Sequence, residues 1–532
     1  MFEFDYIIVG AGTAGCVLAA RLAETQDVSV AVVEAGGRDI SPLIGIPGAN
    51  VITGAKPEYN WNYRTEPVPA LGGKRLYWAQ GKILGGSSTI NGMMYLRGHA
   101  RDYDRWAADG CTGWSYADLL PLFKRTETNE RGESAIHGGS GALKVAIGSS
   151  TAPVCDIFLE AAGIAGFEVS DDLNRPRGQT FGHVDLTIGK GRRSSASSAF
   201  LKPAMRGGNV HLFAESPVTR LLIENGKATG IEVDLHGQVK NLYARREVIL
   251  AAGAVNSPQL LMLSGIGPAD HLREMGIRVE VDNASVGANL QNHTMYKLMY
   301  STSTPISAYN HLRPAGLTKA GWHYATGRRG VLGRGLFPTV GFLNAEENDP
   351  DTEIQVCMAP AIVNRRGPGL LGILPRAHGF TLLLNAGIPL SKGRIRLRSS
   401  DPTDNASIAP DYFAEPRDLD ILAKGASRVR DLVYGSVLGR HIDRDISSDM
   451  PRDSLDAIKA DIIANAANHY HACGTCRMGS DSSSVVDPQL RVRGVDNLRV
   501  ADASVMPTII NANTCATAFV IGEKAADLIR AG

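Results

Sequence analysis

Residues 5–24, DYIIVGAGTAGCVLAARLAE, decide the fold. The apolar run Phe4 to Val9 is strand-like, with Tyr6 to Val9 read as a buried strand, and helical spacing runs from about Ala14 to Glu24. Between them Gly10, Gly12 and Gly15 stand in GxGxxG spacing, with Thr13 and Ala14 opening the helix. Gly10 permits the tight turn, Gly12 lets backbone approach a pyrophosphate, and Gly15 lets helix and strand pack closely. The phosphates of a dinucleotide then meet the positive helix N-terminus. A second strand, Ser29 to Val33, ends in Glu34 and Ala35, and Glu34 follows Gly15 by nineteen residues. A carboxylate there accepts hydrogen bonds from an adenosine ribose and repels a 2′-phosphate. The motif predicts a dinucleotide site in an α/β fold without separating NAD from FAD.

The chain has 532 residues, more than one ordinary core holds, so two or more cores are expected. With 55 basic against 54 acidic side chains and no long run of one sign, nothing favours a nucleic-acid partner or membrane steering. Seven scattered cysteines (Cys16, Cys111, Cys155, Cys357, Cys473, Cys476 and Cys515) do not form a disulfide framework and suit a reducing compartment. The strand begins too early for a signal peptide, and no apolar run approaches the ~18 residues of a membrane span. The expectation is a cytoplasmic protein without a transmembrane segment.

Further motifs lie downstream. Residues 81–104, GKILGGSSTINGMMYLRGHARDYD, hold Gly85, Gly86, Ser87 and Ser88, then Asn91, Gly92, Met93 and Met94. Such a loop exposes backbone N–H groups to an anion or planar ring. REVILAAGAVNSPQLLMLSGIGP reads as a strand ending near Ala251, a turn at Gly253 and a helix starting near Ser257–Pro258, with Ser257 as a cap. Leu498 to Val500 is another strand, closed by Asp502 and Ala503. From Thr514 to Ile529 a helical pattern offers Ala518, Phe519, Ala525, Ala526 and Leu528 to a core. The string HYHACGTC, His469 to Cys476, admits three chemistries: a His/Cys metal site, a Cys473/Cys476 dithiol, or a catalytic histidine.

In this order and spacing the strings resemble the glucose-methanol-choline (GMC) oxidoreductases, FAD-dependent alcohol oxidases and dehydrogenases. GKILGGSSTINGMMYLRG and GAVNSPQLLMLSGIG match the two family signatures; VGANLQNH at Val286 to His293, HGGSGAL at His137 to Leu143, and DASVMP followed by NANT support them. The resemblance runs end to end. It implies a Rossmann-like FAD-binding domain from residues 1–150, 195–300 and 465–532. An α+β substrate domain with an antiparallel sheet follows from 151–194 and 301–464, and in the family that sheet roofs the flavin. Phe380 to Asn385 and Gly393 to Arg398 read as its strands. ARDYDRW and the stretch from Gly327 to Pro338 are candidate lid loops.

The resemblance also assigns residues. Gly10, Gly12 and Gly15 face the FAD pyrophosphate, Glu34 the ribose and Val218 the adenine. Gly85, Ser88 and Asn91 to Met94 serve the flavin side, and Asp502 with Ala503 the ribityl-pyrophosphate. Relatives that link FAD covalently use a histidine where Ile90 stands here, so FAD is expected to be noncovalent. The catalytic pair falls on His471, in HACGTCRMG, and Asn513, in NANT. His471 is expected to take the hydroxyl proton of an alcohol as hydride leaves its carbon for flavin N5, and Asn513 to stabilise the alkoxide. The helix near Thr514 points its positive end at the flavin pyrimidine. No metal is expected. His469 is more simply a satisfied core histidine than a pocket residue, and Tyr470 should point to the opposite face if the segment is a strand. A dehydrogenase is favoured over a peroxide-forming oxidase, with oxygen, a quinone or another acceptor taking the electrons. A lyase or decarboxylase on the same fold is a second reading. A noncatalytic flavin protein is a third, against which the intact His471 and Asn513 speak.

Overall fold

The computed structural model describes residues 2–363 and 375–531. Two sheets organise it. In the first the strand order is Val210–Phe213, Val30–Val33, Phe2–Val9, Gln238–Leu250, Lys227–Leu235 and Val218–Glu224, with Leu498–Val500 also paired to Gln238–Leu250. The strands around Phe2–Val9 run parallel, and the last two form an antiparallel meander. The parallel strands are buried on both faces, which accounts for their unbroken apolar runs such as VAVV at Val30–Val33. Helix Thr13–Leu22 lies against Cys515–Ala531, and a Cβ on Gly522 would meet the Ala14 carbonyl oxygen at 2.6 Å. Arg21 binds the buried Glu523 across this contact.

The second sheet is mainly antiparallel. Its order is Ile442–Asp445, Thr294–Thr302, Gly379–Ala386, Glu353–Ala359, Thr339–Asn344, Thr180–His183 and Glu168–Ser170, with Ala467–Asn468 on the other end of Thr294–Thr302. Among the described residues only the pair Glu168–Ser170 and Thr180–His183 is parallel in this sheet. The strand Thr294–Thr302 thus starts within the 195–300 stretch and builds the second sheet.

Three local expectations need correction. Arg394–Arg396 pairs with Ser407–Ala409 in a separate two-stranded ribbon, so Gly393 to Arg398 is not part of the large sheet. ARDYDRW is the helix Ala100–Ala108, opened by a capping box between His99 and Asp102, and its Tyr103 and Trp106 are core residues. The helix expected near Ser257 begins at Gly253 and carries Pro258 in its interior. Ser257 is no cap: its hydroxyl donates to Asp502 Oδ2 at 2.5 Å and accepts from Ala252 N at 3.2 Å. Among the described residues no helix is long and apolar enough to cross a membrane.

Candidate active site

A long cavity of about 630 Å³ runs between the two sheets. At one end lies the turn after the first strand. Gly10 has φ +105°, and a Cβ there would stand 2.5 Å from Ala251 O. Gly15 is a packing residue behind the wall, since its Cβ would meet Gly10 O at 2.0 Å. Gly12, by contrast, has no neighbour nearer than 3.6 Å at that position and faces the cavity with Thr13 and Ala14. The double-glycine loop presses on this turn, because a Cβ on Gly86 would lie 2.8 Å from Gly12 Cα.

Glu34 and Ala35 line the same end. The Glu34 carboxylate accepts Ala11 N at 2.9 Å and Gly36 N at 2.8 Å. Burial pushes its carboxyl up to about 7 against these two donors. Further hydroxyl donors, such as a ribose diol, would restore its charge. Val218, Gln259, Asp502 and Ala503 line the cavity as well. Asp502 accepts from Gly253 N at 2.9 Å and caps its own short turn through Ser504 N at 2.8 Å.

Asn91, Gly92, Met93 and Met94 form the middle wall, Met93 at φ +65°. Gly85 and Ser88 do not reach the cavity. Gly85 adopts φ +85° under the loop, and the Ser88 hydroxyl donates to Gly85 O at 2.6 Å and accepts from Ala196 N at 3.0 Å. A residue the motifs did not reveal holds this loop: buried Arg193 donates to Ser88 O at 3.0 Å, Asn91 Oδ1 at 2.8 Å and Asn91 O at 2.8 Å. Burial brings its guanidinium down to about 10. Asn513, Thr514 and Cys515 line the far part, so the C-terminal helix opens on the cavity.

His471 stands there within a directional hydrogen-bond chain. His293 Nε2 lies 2.8 Å from Gly387 O, and a carbonyl only accepts, so the His293 proton is on Nε2. In the neutral ring Nδ1 is then an acceptor, and it lies 2.8 Å from His471 Nδ1. His471 therefore donates from Nδ1 and keeps its lone pair on Nε2, 3.0 Å from Asn513 Nδ2. Gln355 Nε2 donates to Asn513 Oδ1 at 3.0 Å, which turns the Asn513 amide nitrogen toward His471. Asn292 accepts His471 N at 2.6 Å while donating to Tyr412 and Asn468. An amide both accepts and donates, as this position requires; an aspartate would only accept.

Burial holds His293 down to about 4, and burial with His293 and Lys297 holds His469 down to about 3. His471 is held well below the usual range by burial, then by His469 and His293. The free site thus contains neutral imidazoles. His469 lines the cavity, its ring centroid 4.5 Å from that of His471. Tyr470 does not alternate away: it takes φ +65°, lines the cavity and meets Tyr77 edge-on. Cys473 and Cys476 are fully buried, and burial pushes both thiols up, so neither offers a thiolate. The only group of three ligand-type side chains brought within 4.8 Å among the described residues is His137, Asp172 and Asp185. The His469 to Cys476 string forms no such group.

The family model for GMC oxidoreductases matches residues 4–295, and its C-terminal counterpart matches 389–522. The chain belongs to the GMC oxidoreductase family. It is 39% identical over 529 residues to an oxygen-dependent choline dehydrogenase of Rhizobium etli, covering 99% of this chain and 95% of that one. It is 37% identical to the mitochondrial choline dehydrogenase of Homo sapiens, covering 99% and 90%. Among solved structures, pyridoxine 4-oxidase from Mesorbium loti superposes with a TM-score of 0.89 at 30% identity, covering 99% of both chains. A formate oxidase of Aspergillus oryzae gives 0.93 at 27%, covering 100% and 98%. As a GMC oxidoreductase the chain is an FAD-dependent alcohol oxidoreductase, taking electrons from an alcohol and passing them to an acceptor. The cavity fits the group. The bare face at Gly12 can take the pyrophosphate, Glu34 the ribose, and the Asn91 to Met94 wall beside His471 the flavin ring.

Proposed function

We propose that His471 is the base that removes the hydroxyl proton of an alcohol, with Asn513 holding the resulting oxyanion. The observation that carries this is the chain from Gly387 through His293, which leaves the His471 lone pair on Nε2 beside Asn513. An incoming hydroxyl displaces the Asn513 amide from that lone pair, gives its proton to Nε2 and then accepts from Asn513 Nδ2. Gln355 keeps the amide in the donating sense. Burial that keeps His471 neutral also excludes water, and the ring accepts a proton only as negative charge arrives beside it.

Bound FAD would supply the hydride acceptor. Gly10, Gly12, Thr13, Ala14, Glu34, Ala35 and Val218 would hold its nucleotide half; Asn91 to Met94, Asp502, Ala503 and Thr514 would hold the flavin half. Ile90 offers no nucleophile, which supports noncovalent binding. The residue blocks 1–150, 195–300 and 465–532 would form the FAD domain, with the second sheet as the roof over the reacting alcohol. The dehydrogenase names of the relatives favour dehydrogenase over oxidase, and a quinone or oxygen as acceptor. A cytoplasmic location accords with the cysteine usage. Anaerobic mixing of flavin-loaded protein with an alcohol panel tests this. Bleaching of the flavin band by at least one alcohol is expected; a band unchanged by every alcohol would overturn the reading.

A further inference from the structure

On the second sheet, Lys297, Leu383 and Cys357 stand side by side on three neighbouring strands, and all three line the cavity. The row lies two residues along the strands from Gln355 and Asn385, the pair that orients Asn513. Two residues of strand span about 7 Å. Lys297 is half-buried and, among the described residues, makes no ion pair and no hydrogen bond. Residues 364–374, which follow the cavity residue Val363, contain no acidic side chain.

The other charged residues on the cavity wall are already engaged. Glu34 accepts two backbone N–H groups, Asp502 binds Gly253 and Ser257, and Asp404 accepts from Ser399 beside Gln259. A lone ammonium in the row with Leu383 and Cys357, in a half-dry pocket, is costly, and an ordinary structural lysine would have turned to solvent or taken a carboxylate. Burial lowers the Lys297 pKa with no opposing partner, in keeping with a site whose counter-charge is missing.

We infer that Lys297 is a specificity residue that pairs with a carboxylate carried by the alcohol substrate, set several bonds from the carbinol carbon. This rests on the alcohol-oxidising reading of the same cavity. A single ammonium suits a monoanion; a phosphate dianion calls for more donors than the described residues of the wall supply. It also opposes a quaternary ammonium at this position, since no carboxylate on the alcohol half would balance two cations. Such a cation would have to turn to Tyr77 and Tyr470, which line the cavity as well, since Trp61 stacks on Tyr63 and already carries Lys82 over its ring. The carboxylate would additionally neutralise the charge felt at His469, making the imidazoles beside it better proton acceptors.

The experiment compares kcat/KM for flavin-loaded protein with ω-hydroxycarboxylates of roughly four to eight carbons, the n-alcohols of equal length, and choline. The hydroxycarboxylates are expected to exceed their n-alcohols by about thirtyfold or more. In Lys297→Met that ratio should collapse toward one, with flavin content and spectrum confirming the fold. Lys297→Arg should restore most of it. Equal kcat/KM for the charged and neutral series, a ratio unchanged in Lys297→Met, or choline as the best substrate would overturn the inference and leave the alcohol reaction standing. Failure of all three classes to bleach the flavin would instead remove the reading on which it rests, and the inference with it.

Discussion

Two histidine clusters lie within the protein and behave in opposite ways. His293, His469 and His471 face one another, carbonyls and amides, and burial holds all three below the usual histidine range. His137, in the HGGSGAL stretch, is also buried, and burial alone would lower it. Asp172 at 3.0 Å and Glu127 at 2.9 Å outweigh that cost and bring it to about 9. Arg97 completes this second cluster through Glu127. The contrast teaches that partners, more than depth, decide what a histidine can do. The first cluster has an unprotonated nitrogen available for chemistry, and the second spends both nitrogens on carboxylates as a structural cation.

The largest effect is expected from emptying the first cluster. His471→Ala should slow anaerobic flavin reduction by roughly two to four orders of magnitude with flavin still bound; reduction at the wild-type rate would place the base elsewhere. Emptying the second should cost stability instead. His137→Leu leaves Asp172 without its imidazolium and Glu127 with Arg97 alone, a loss of about 3 kcal/mol, read by denaturant titration. Turnover per folded, flavin-loaded molecule should stay within about twofold of wild type, since no residue of that cluster lines the cavity. Retained stability would show that the carboxylates find other partners.

Breaking the directional chain without touching the base is the sharper comparison. His293→Leu removes the acceptor for His471 Nδ1–H, and flavin reduction should fall by about ten- to a hundredfold; His293→Gln, which can accept through its oxygen, should recover part of it. The smallest effect is in the pH dependence of stability. The first cluster has folded pKa values below the unfolded value of about 6.5, so the unfolded chain binds more protons in acid. Its contribution is complete above about 6.5 and is lost as pH falls toward 4 and 3. His137 has a raised folded pKa, so its contribution is present below about 6.5 and disappears as pH rises through about 9. Thermal scans against pH should show both limbs in the wild type, and His137→Leu should lose the alkaline one.

The parts of this picture that were legible in the sequence are those where backbone geometry demands a residue type. Gly10 at positive φ, Glu34 at the end of the second strand, and the strand closed by Asp502 all carry a local signature, and each lies where its pattern implied. Helix limits were less legible: Pro258 sits inside its helix because Gly253 at φ +85° already turns the chain into it, and the Ser257 hydroxyl that looked like a cap reaches Asp502. The oriented site was legible only in part. His293 lies within VGANLQNH, yet its role depends on Gly387, ninety-four residues away. Gln355, Arg193 and Lys297 carry no motif, because ordinary sheet register or loop packing, not a special turn, brings Lys297 to the cavity and the other two behind its wall, against Asn513 and Asn91. Asn292 lies in the same stretch, and its three partners, His471, Tyr412 and Asn468, are likewise distant in sequence.

The most direct test of the contrast is nitrogen NMR of protein labelled in its histidine rings and assigned with single His→Asn variants, recorded near neutral pH. His137 should carry protons on both ring nitrogens, while His293 is neutral with its proton on Nε2 and His471 neutral with its proton on Nδ1. A charged His471, or one with its proton on Nε2, would contradict the account.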